Sequence, residues 1–290
     1  MGELKELYVP NSICWNITHK CNEKCEFCYR DNISEDLTFD TNKKILEEII
    51  ASGAKKITFA GGEPLMYDGV LELIKYAKQN GIITSLTTNS ILLSDELLLK
   101  LDGILDWLTL SLDGHNGDLQ TKMTRNKNHF DNVLRILNSI NFNNLSMKVK
   151  VNTVVSKINK DEVKYIIDIV NKYDVYRWKL FQFIPLRGSA QKNKEKFYIT
   201  DDEFLKVKEE IITKENISKD KIITFTDRNS LESSYFVIFP NGDVRISTDL
   251  NDKILGNLIT DNIRDIWKNT CYKKDLHDDR TSKTIEASSL

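Results

Sequence analysis

With 290 residues, 29% of them charged and 40% hydrophobic, the chain is long enough for one large α/β domain, or for a domain of about 190 residues with a smaller appendage. A formal net charge of −2 leaves no footprint for non-specific nucleic-acid binding, so any polyanion must be met by local cations. No apolar run approaches the roughly 18 residues of a membrane span and no signal-peptide pattern opens the sequence. The odd cysteine count points to a reducing, cytoplasmic setting.

Taken in chain order, strand and helix patterns alternate. Strands are predicted at 13–18, 56–60, 83–89, 107–113, 148–155 and 176–183. Amphipathic helices are predicted between them at 41–51, 69–79, 94–101, 130–140 and 161–173, with Ser94 and Asp161 as opening caps. This alternation predicts βα units and a parallel sheet. After Pro185 the pattern changes: 187–196 reads as a basic loop and 200–214 as a helix. Residues 235–239 and 243–247 flank Pro240-Asn241-Gly242 as a hairpin, and 261–268 reads as a short helix. From His277 onward the residues are polar without periodicity, which predicts a loose or disordered tail.

The turn after the first strand carries Cys21-Asn22-Glu23-Lys24-Cys25-Glu26-Phe27-Cys28, three of the five cysteines in eight positions. That is a metal-site spacing rather than a disulfide framework. Structural zinc sites and complete iron–sulfur cages close with four protein ligands. Three close thiolates instead leave one position open to something that is not protein. A zinc knuckle completed by His19 or Cys14, and simple reduced thiols, are the plainer alternatives.

Strand alternation sorts the remaining chemistry, since one parity of each strand must face outward into helices. Ile13, Trp15 and Ile17 take the outward parity of the first strand, leaving Cys14, Asn16 and Thr18 inward. The same reasoning turns Lys56, Ser111, Asp113, Lys148, Lys150, Asn152, Arg177 and Lys179 inward. Five cations against one carboxylate in a confined site imply that an anionic ligand supplies part of the compensation. Lysines at barrel rims reaching water are the alternative, with most weight at Lys56 and Lys148.

The C-x₃-C-x₂-C cluster with Phe27 before its last cysteine, followed by Gly61-Gly62-Glu63-Pro64 after the second strand, resembles the radical S-adenosylmethionine (SAM) superfamily. The resemblance implies an α/β fold, a partial (β/α)₆ barrel over residues 7–185. A small C-terminal α/β extension over 186–275 and a disordered tail at 276–290 would follow. It implies that Cys21, Cys25 and Cys28 hold one 4Fe–4S cluster whose fourth iron is chelated by SAM. Phe27, Gly61, Gly62, Glu63, Asn89 and Ser111 would form the SAM site. Lys150 to Val154, Arg177 to Gln182, Lys56 and Ser234 to Ile238 are similar to segments of viperin and its prokaryotic relatives, over residues 13 to 240. That branch implies nucleoside triphosphate binding by Lys56, Lys150, Asn152, Arg177 and Lys179, with Tyr235 as proton donor. The implied reaction uses a 5′-deoxyadenosyl radical to remove the ribose 4′ hydrogen of CTP or UTP, giving a 3′-deoxy-3′,4′-didehydro nucleotide. An electron donor such as flavodoxin or ferredoxin would be the partner, with no membrane association and an antiviral role by analogy.

Departures from that branch are also legible. Cys14 and Asn16 stand where viperins usually carry Asn and His, and the membrane-associated helix of the animal proteins is not expected here. Residues 241–267 resemble the C-terminal extension of SPASM-type peptide maturases, but Ser247 occupies a cysteine position, so no auxiliary cluster is expected. The rival readings are a radical SAM enzyme acting on a peptide or sugar nucleotide, and a non-catalytic iron–sulfur protein.

Overall fold

In the computed structural model of the protein, the described residues are 9–30, 35–213, 221–248, 251–268 and 271–288. The expected boundaries at residues 7, 214 and 290 lie outside them. The six predicted strands form as β1 (Ser12–Thr18), β2 (Lys56–Gly61), β3 (Ile83–Thr88), β4 (Trp107–Ser111), β5 (Lys148–Val155) and β6 (Arg177–Gln182). They pair in parallel, in sequence order. The crossovers carry α1 (Phe39–Ser52), α2 (Val70–Gln79), α3 (Asp95–Leu101), α4 (Gly117–Lys122), α5 (His129–Phe142) and α6 (Ile166–Lys172).

Local chemistry sets the helix ends. Thr38 caps α1 by accepting from the Thr41 amide, and Gly53 ends it in the left-handed region at φ 92°. Ser94 caps α3 through the Leu97 amide, as the sequence predicts. Asp161 does not open its helix: a 3₁₀ turn at Val163–Tyr165 comes first.

The outward parity of the strands makes the core. Ile13, Trp15, Ile17, Leu108, Leu110 and Trp178 are all buried, packed with Ile45, Leu46 and Ile49 of α1 among others. Each such aliphatic side chain contributes about 1.5–3 kcal/mol of burial. The sheet therefore keeps its polar parity for the inside of a curved partial barrel.

The sequence reading divides the chain at 185/186, yet the sheet runs on. The expected basic loop is two short helices, α7 (Gly188–Lys192) and α8 (Lys194–Phe197), followed by α9 (Asp201–Ile212). β7 (Ile222–Thr226) adds in parallel to β6, and α10 (Arg228–Leu231) follows. β8 (Phe236–Ile238) pairs in parallel with β1 at the other edge. β9 (Asp243–Thr248) and β10 (Asn251–Asn257) then extend that edge antiparallel, before α11 (Ile263–Trp267). The described sheet thus has ten strands in the order β10-β9-β8-β1-β2-β3-β4-β5-β6-β7.

The expected loose tail is instead α12 (Lys274–Ser288), which lies across the strand starts at the barrel floor. Buried His277 accepts from the Ser12 amide at 3.3 Å and contacts the Ser234 carbonyl at 3.0 Å. Asn11 reaches Asp278, Trp107 Nε1 donates to Ser288 Oγ at 2.6 Å, and the Lys148 amine donates to the Ala287 carbonyl. His277, Thr281 and Ser288 recur at helical spacing, so the docked face is itself polar. A polar face on a polar floor gives no amphipathic signal.

His277→Ala removes two hydrogen bonds, one buried and one partly buried, and is expected to lower the unfolding free energy by about 2 kcal/mol, read by urea denaturation. An unchanged midpoint would mean that α12 is not docked.

Candidate active site

The upper ends of β1 and β2 are welded before any ligand is considered. The Gly62 amide donates to the Thr18 carbonyl at 2.8 Å and the Glu63 amide to the Lys20 carbonyl at 2.7 Å. A Cβ on Gly62 would collide with the Lys20 carbonyl, and one on Gly61 with that of Thr18; Gly61 also sits at φ 139°. The Glu63 carboxylate is fully buried and accepts from the Leu65 amide, the Asn89 amide and the Thr88 hydroxyl. Burial raises its pKa against those three hydrogen bonds. Glu63 therefore braces the end of β2 to that of β3.

The cluster loop springs from this weld. Asn89 Nδ2 donates to Asn22 Oδ1 at 2.6 Å and lies 3.7 Å from Cys21 Sγ. Glu23 is buried within the loop; its carboxylate accepts from the Cys25 thiol at 3.2 Å, Arg125 Nη1 at 3.2 Å and the Asn126 amide at 2.9 Å. The Arg125 Nε donates to Asp113 at 2.9 Å, its Nη1 lies 3.5 Å from Cys25 Sγ, and its guanidinium stands 4.9 Å from the Phe27 ring centroid. Burial disfavours the guanidinium charge, but Cys25, Asp113 and Glu23 outweigh it and hold the proton firmly. Sequence reasoning missed Arg125, which sits in the aperiodic turn between α4 and α5. The inward carboxylate of Asp113 is thus satisfied by Arg125 and not by the strand lysines.

Burial pushes the Cys25 thiol far up and the Cys21 thiol up, so a cationic group must replace their protons for thiolates to form. Cys14 lies four residues down β1 from Thr18, roughly 13 Å, which removes it from the loop. His19 keeps Nδ1 on Asp36 at 2.8 Å. Among the described residues no three His, Cys, Asp or Glu side chains converge as ligands of a single ion would. Three thiols on one loop, all lining one cavity, are the donor set of a cluster that takes one thiolate per corner.

All three cysteines line a cavity of about 770 Å³ that runs down into the barrel. Phe27, Gly61, Gly62, Asn89 and Ser111 line its upper part; Glu63 does not. Lys56, Lys150, Asn152, Arg177, Lys179 and Tyr235 line the same cavity, as do Cys14 and Asn16. The strand register places Lys150 opposite Arg177 and Asn152 opposite Lys179. Arg177 and Lys179 are buried, 6% and 4% exposed. Burial first, then the charges of Lys179, Lys56 and Arg177, drive the Lys150 ammonium well below its ordinary pKa. Lys179 Nζ donates to the Tyr235 hydroxyl at 2.7 Å. The Asn152 amide oxygen is buried with no donor on it, an open valence that a ligand on the cavity side would fill.

One inward assignment changes. Lys148 does not line the cavity: its amine is spent on the Ala287 carbonyl and stands 5.1 Å from the Tyr176 ring centroid. His129, the first residue of α5, is buried against Gln120, and burial together with Arg125 depresses its pKa to about 2. It is a neutral core residue.

Comparison with known proteins agrees with this geometry. The sequence profile of the Radical SAM superfamily matches residues 15–170. An S-adenosylmethionine-dependent nucleotide dehydratase of Flammeovirga pacifica is 31% identical over 243 residues, covering 80% of each chain. A GTP 3′,8-cyclase of Clostridium perfringens is 33% identical over 209 residues, 69% of this chain and 61% of that protein. The crystal structure of Streptococcus suis SuiB bound to precursor peptide SuiA superposes with a TM-score of 0.73 at 18% identity, over 97% of this chain and 69% of SuiB. At that identity the likeness is one of fold.

Gly62→Ala is expected to cut the iron bound per chain after reconstitution by roughly two- to threefold and to lower stability by about 1–3 kcal/mol, read by iron analysis and urea unfolding. Wild-type iron content at wild-type stability would remove the weld from the account.

Proposed function

This chain belongs to the Radical SAM superfamily, and on that premise we propose that it dehydrates a nucleoside triphosphate, CTP or UTP, to the 3′-deoxy-3′,4′-didehydro nucleotide. The observation that carries this reading is the group of Lys56, Lys150, Arg177 and Lys179 in one cavity with the cluster cysteines. Burial and the charges of Lys179, Lys56 and Arg177 disfavour the Lys150 ammonium, and a bound triphosphate would relieve that repulsion. Cys21, Cys25 and Cys28 would hold the 4Fe–4S cluster. The Gly61-Gly62 backbone, Asn89 and Ser111 would hold SAM, with Arg125 the buried guanidinium nearest Cys25. Cluster and SAM together supply, when bound, a 5′-deoxyadenosyl radical that removes one hydrogen atom.

The chain's own residues then have three tasks. The lower cations anchor the phosphates, so the ribose stands between them and the cluster loop with its 4′ C–H upward. Asn152 offers its unsatisfied oxygen to a ligand hydroxyl or amine. Tyr235 gives a proton to the departing 3′ hydroxyl, which leaves as water, and the Lys179 ammonium at 2.7 Å stabilises the phenol oxygen afterwards. A second electron, from a carrier of the flavodoxin or ferredoxin class, completes the balance. The dehydratase relative, matched over 80% of both chains, supports this substrate class.

A second reading, action on GTP without loss of water, draws on the GTP 3′,8-cyclase relative. Anaerobic incubation of the reconstituted protein with SAM, dithionite and each of the four ribonucleoside triphosphates separates the two by mass spectrometry. Loss of one water from CTP or UTP is the expected result; GTP consumed at unchanged mass would support the alternative, and inertness towards all four would overturn both. Lys150→Met is expected to weaken nucleotide binding about tenfold or more by isothermal titration while sparing uncoupled SAM cleavage. Undiminished affinity would remove the phosphate-holding role.

A further inference from the structure

The cluster loop and the segments tied to it carry a charge pattern that, Lys24 at the cavity mouth aside, lies outside the cavity lining. Lys24 is exposed on the loop itself. On one side the α4–α5 segment is tied to the loop: the Glu26 amide donates to Thr124 Oγ1 at 2.8 Å and the Asn126 amide to Glu23 at 2.9 Å. That side presents exposed Lys122 and Lys127. On the other side the Ala190 amide donates to the Cys28 carbonyl at 3.0 Å and Asn193 Nδ2 to the Glu26 carbonyl at 3.2 Å, which fastens α7 and α8 to the loop. Those helices present exposed Lys192, Lys194 and Lys196. Against these six lysines the same segments set four acids: Glu195, Asp118 on α4, Asp131 at the start of α5, and Glu26, the last paired with Lys196 at 2.6 Å. The whole chain has a net charge of −2, so this excess is local.

We propose that this lysine-rimmed face is the docking surface for a small acidic one-electron carrier protein of the flavodoxin class. The inference rests on the cluster reading above and is independent of which nucleotide is used. Position and charge argue together. An electron must enter at the three-cysteine loop, and both flanking segments are hydrogen-bonded directly to that loop. Electron-transfer encounters use small, charge-steered and salt-sensitive interfaces, which suits a ring of flexible lysines. A nucleic acid is disfavoured by the overall negative charge.

The test uses the full-length, cluster-reconstituted protein and an acidic flavodoxin, with complex affinity measured by isothermal titration at low and raised salt. The double variant Lys192→Glu/Lys194→Glu is expected to bind about tenfold more weakly or worse at low salt, and wild-type affinity is expected to fall as salt rises. Flavodoxin-driven SAM cleavage should fall in parallel, whereas dithionite-driven cleavage, which needs no docking, should stay at the wild-type rate. Lys206→Glu, exposed on α9, should move neither quantity. Equal flavodoxin affinity in the double variant and wild type, or affinity insensitive to salt, would overturn the assignment. Failure of dithionite-driven cleavage in the wild-type protein would instead strike the cluster reading, while the affinity comparison would still decide the surface.

Discussion

The contact between the Gly61-Gly62 backbone and the carbonyls of Thr18 and Lys20 is the constraint on which the site depends. It needs residues without a Cβ, and it fixes where the cluster loop leaves β1 relative to the end of β2. Glu63 then carries the same fixation to β3 through Thr88 and Asn89, and Asn89 reaches back to the loop at Asn22. Three strand ends and one loop are thus tied into a single rim. Preorganisation of this kind is what the placement of one C–H bond against a radical centre demands.

Below the rim, charge is segregated by whether the protein itself answers it. Asp113 and Glu23 are answered by Arg125, and Lys148 is turned away to the helix that floors the barrel. Around Lys150, burial and the charges of Lys179, Lys56 and Arg177 act against its ammonium, with Cys14 opposing them, and Asn152 keeps an oxygen without a donor. A folded chain tolerates such an arrangement where stability gained elsewhere offsets it, and perturbed groups of this kind occur at ligand sites more often than in cores. The fold alone does not identify that ligand, because SuiB shares it at 18% identity and was crystallised with a peptide.

The parts of the structure that follow from strand parity were legible in the sequence. Ile13, Trp15 and Ile17 face the helices and Cys14 and Asn16 the cavity because alternation leaves no other choice. The same logic placed Lys56, Lys150, Arg177 and Lys179 together. What escaped were features without a periodic signature. β8 falls within the strand predicted at 235–239, but its parallel pairing with β1 joins positions more than 220 residues apart, which no local pattern shows. α12 presents polar residues to a polar floor, so its sequence reads as solvent-exposed although His277 is buried. Arg125 is one arginine in an irregular turn, and only the folded loop reveals that two carboxylates and a cysteine surround it.

The account requires that the cluster keep one iron for a ligand from outside the protein. Electron–nuclear double resonance on the reduced, reconstituted protein tests this directly, with SAM labelled with ¹⁵N at its amino group. A hyperfine coupling to that nitrogen is the result the account predicts. An unchanged spectrum on adding labelled SAM, with the fourth iron coupled to a protein side chain, would contradict it.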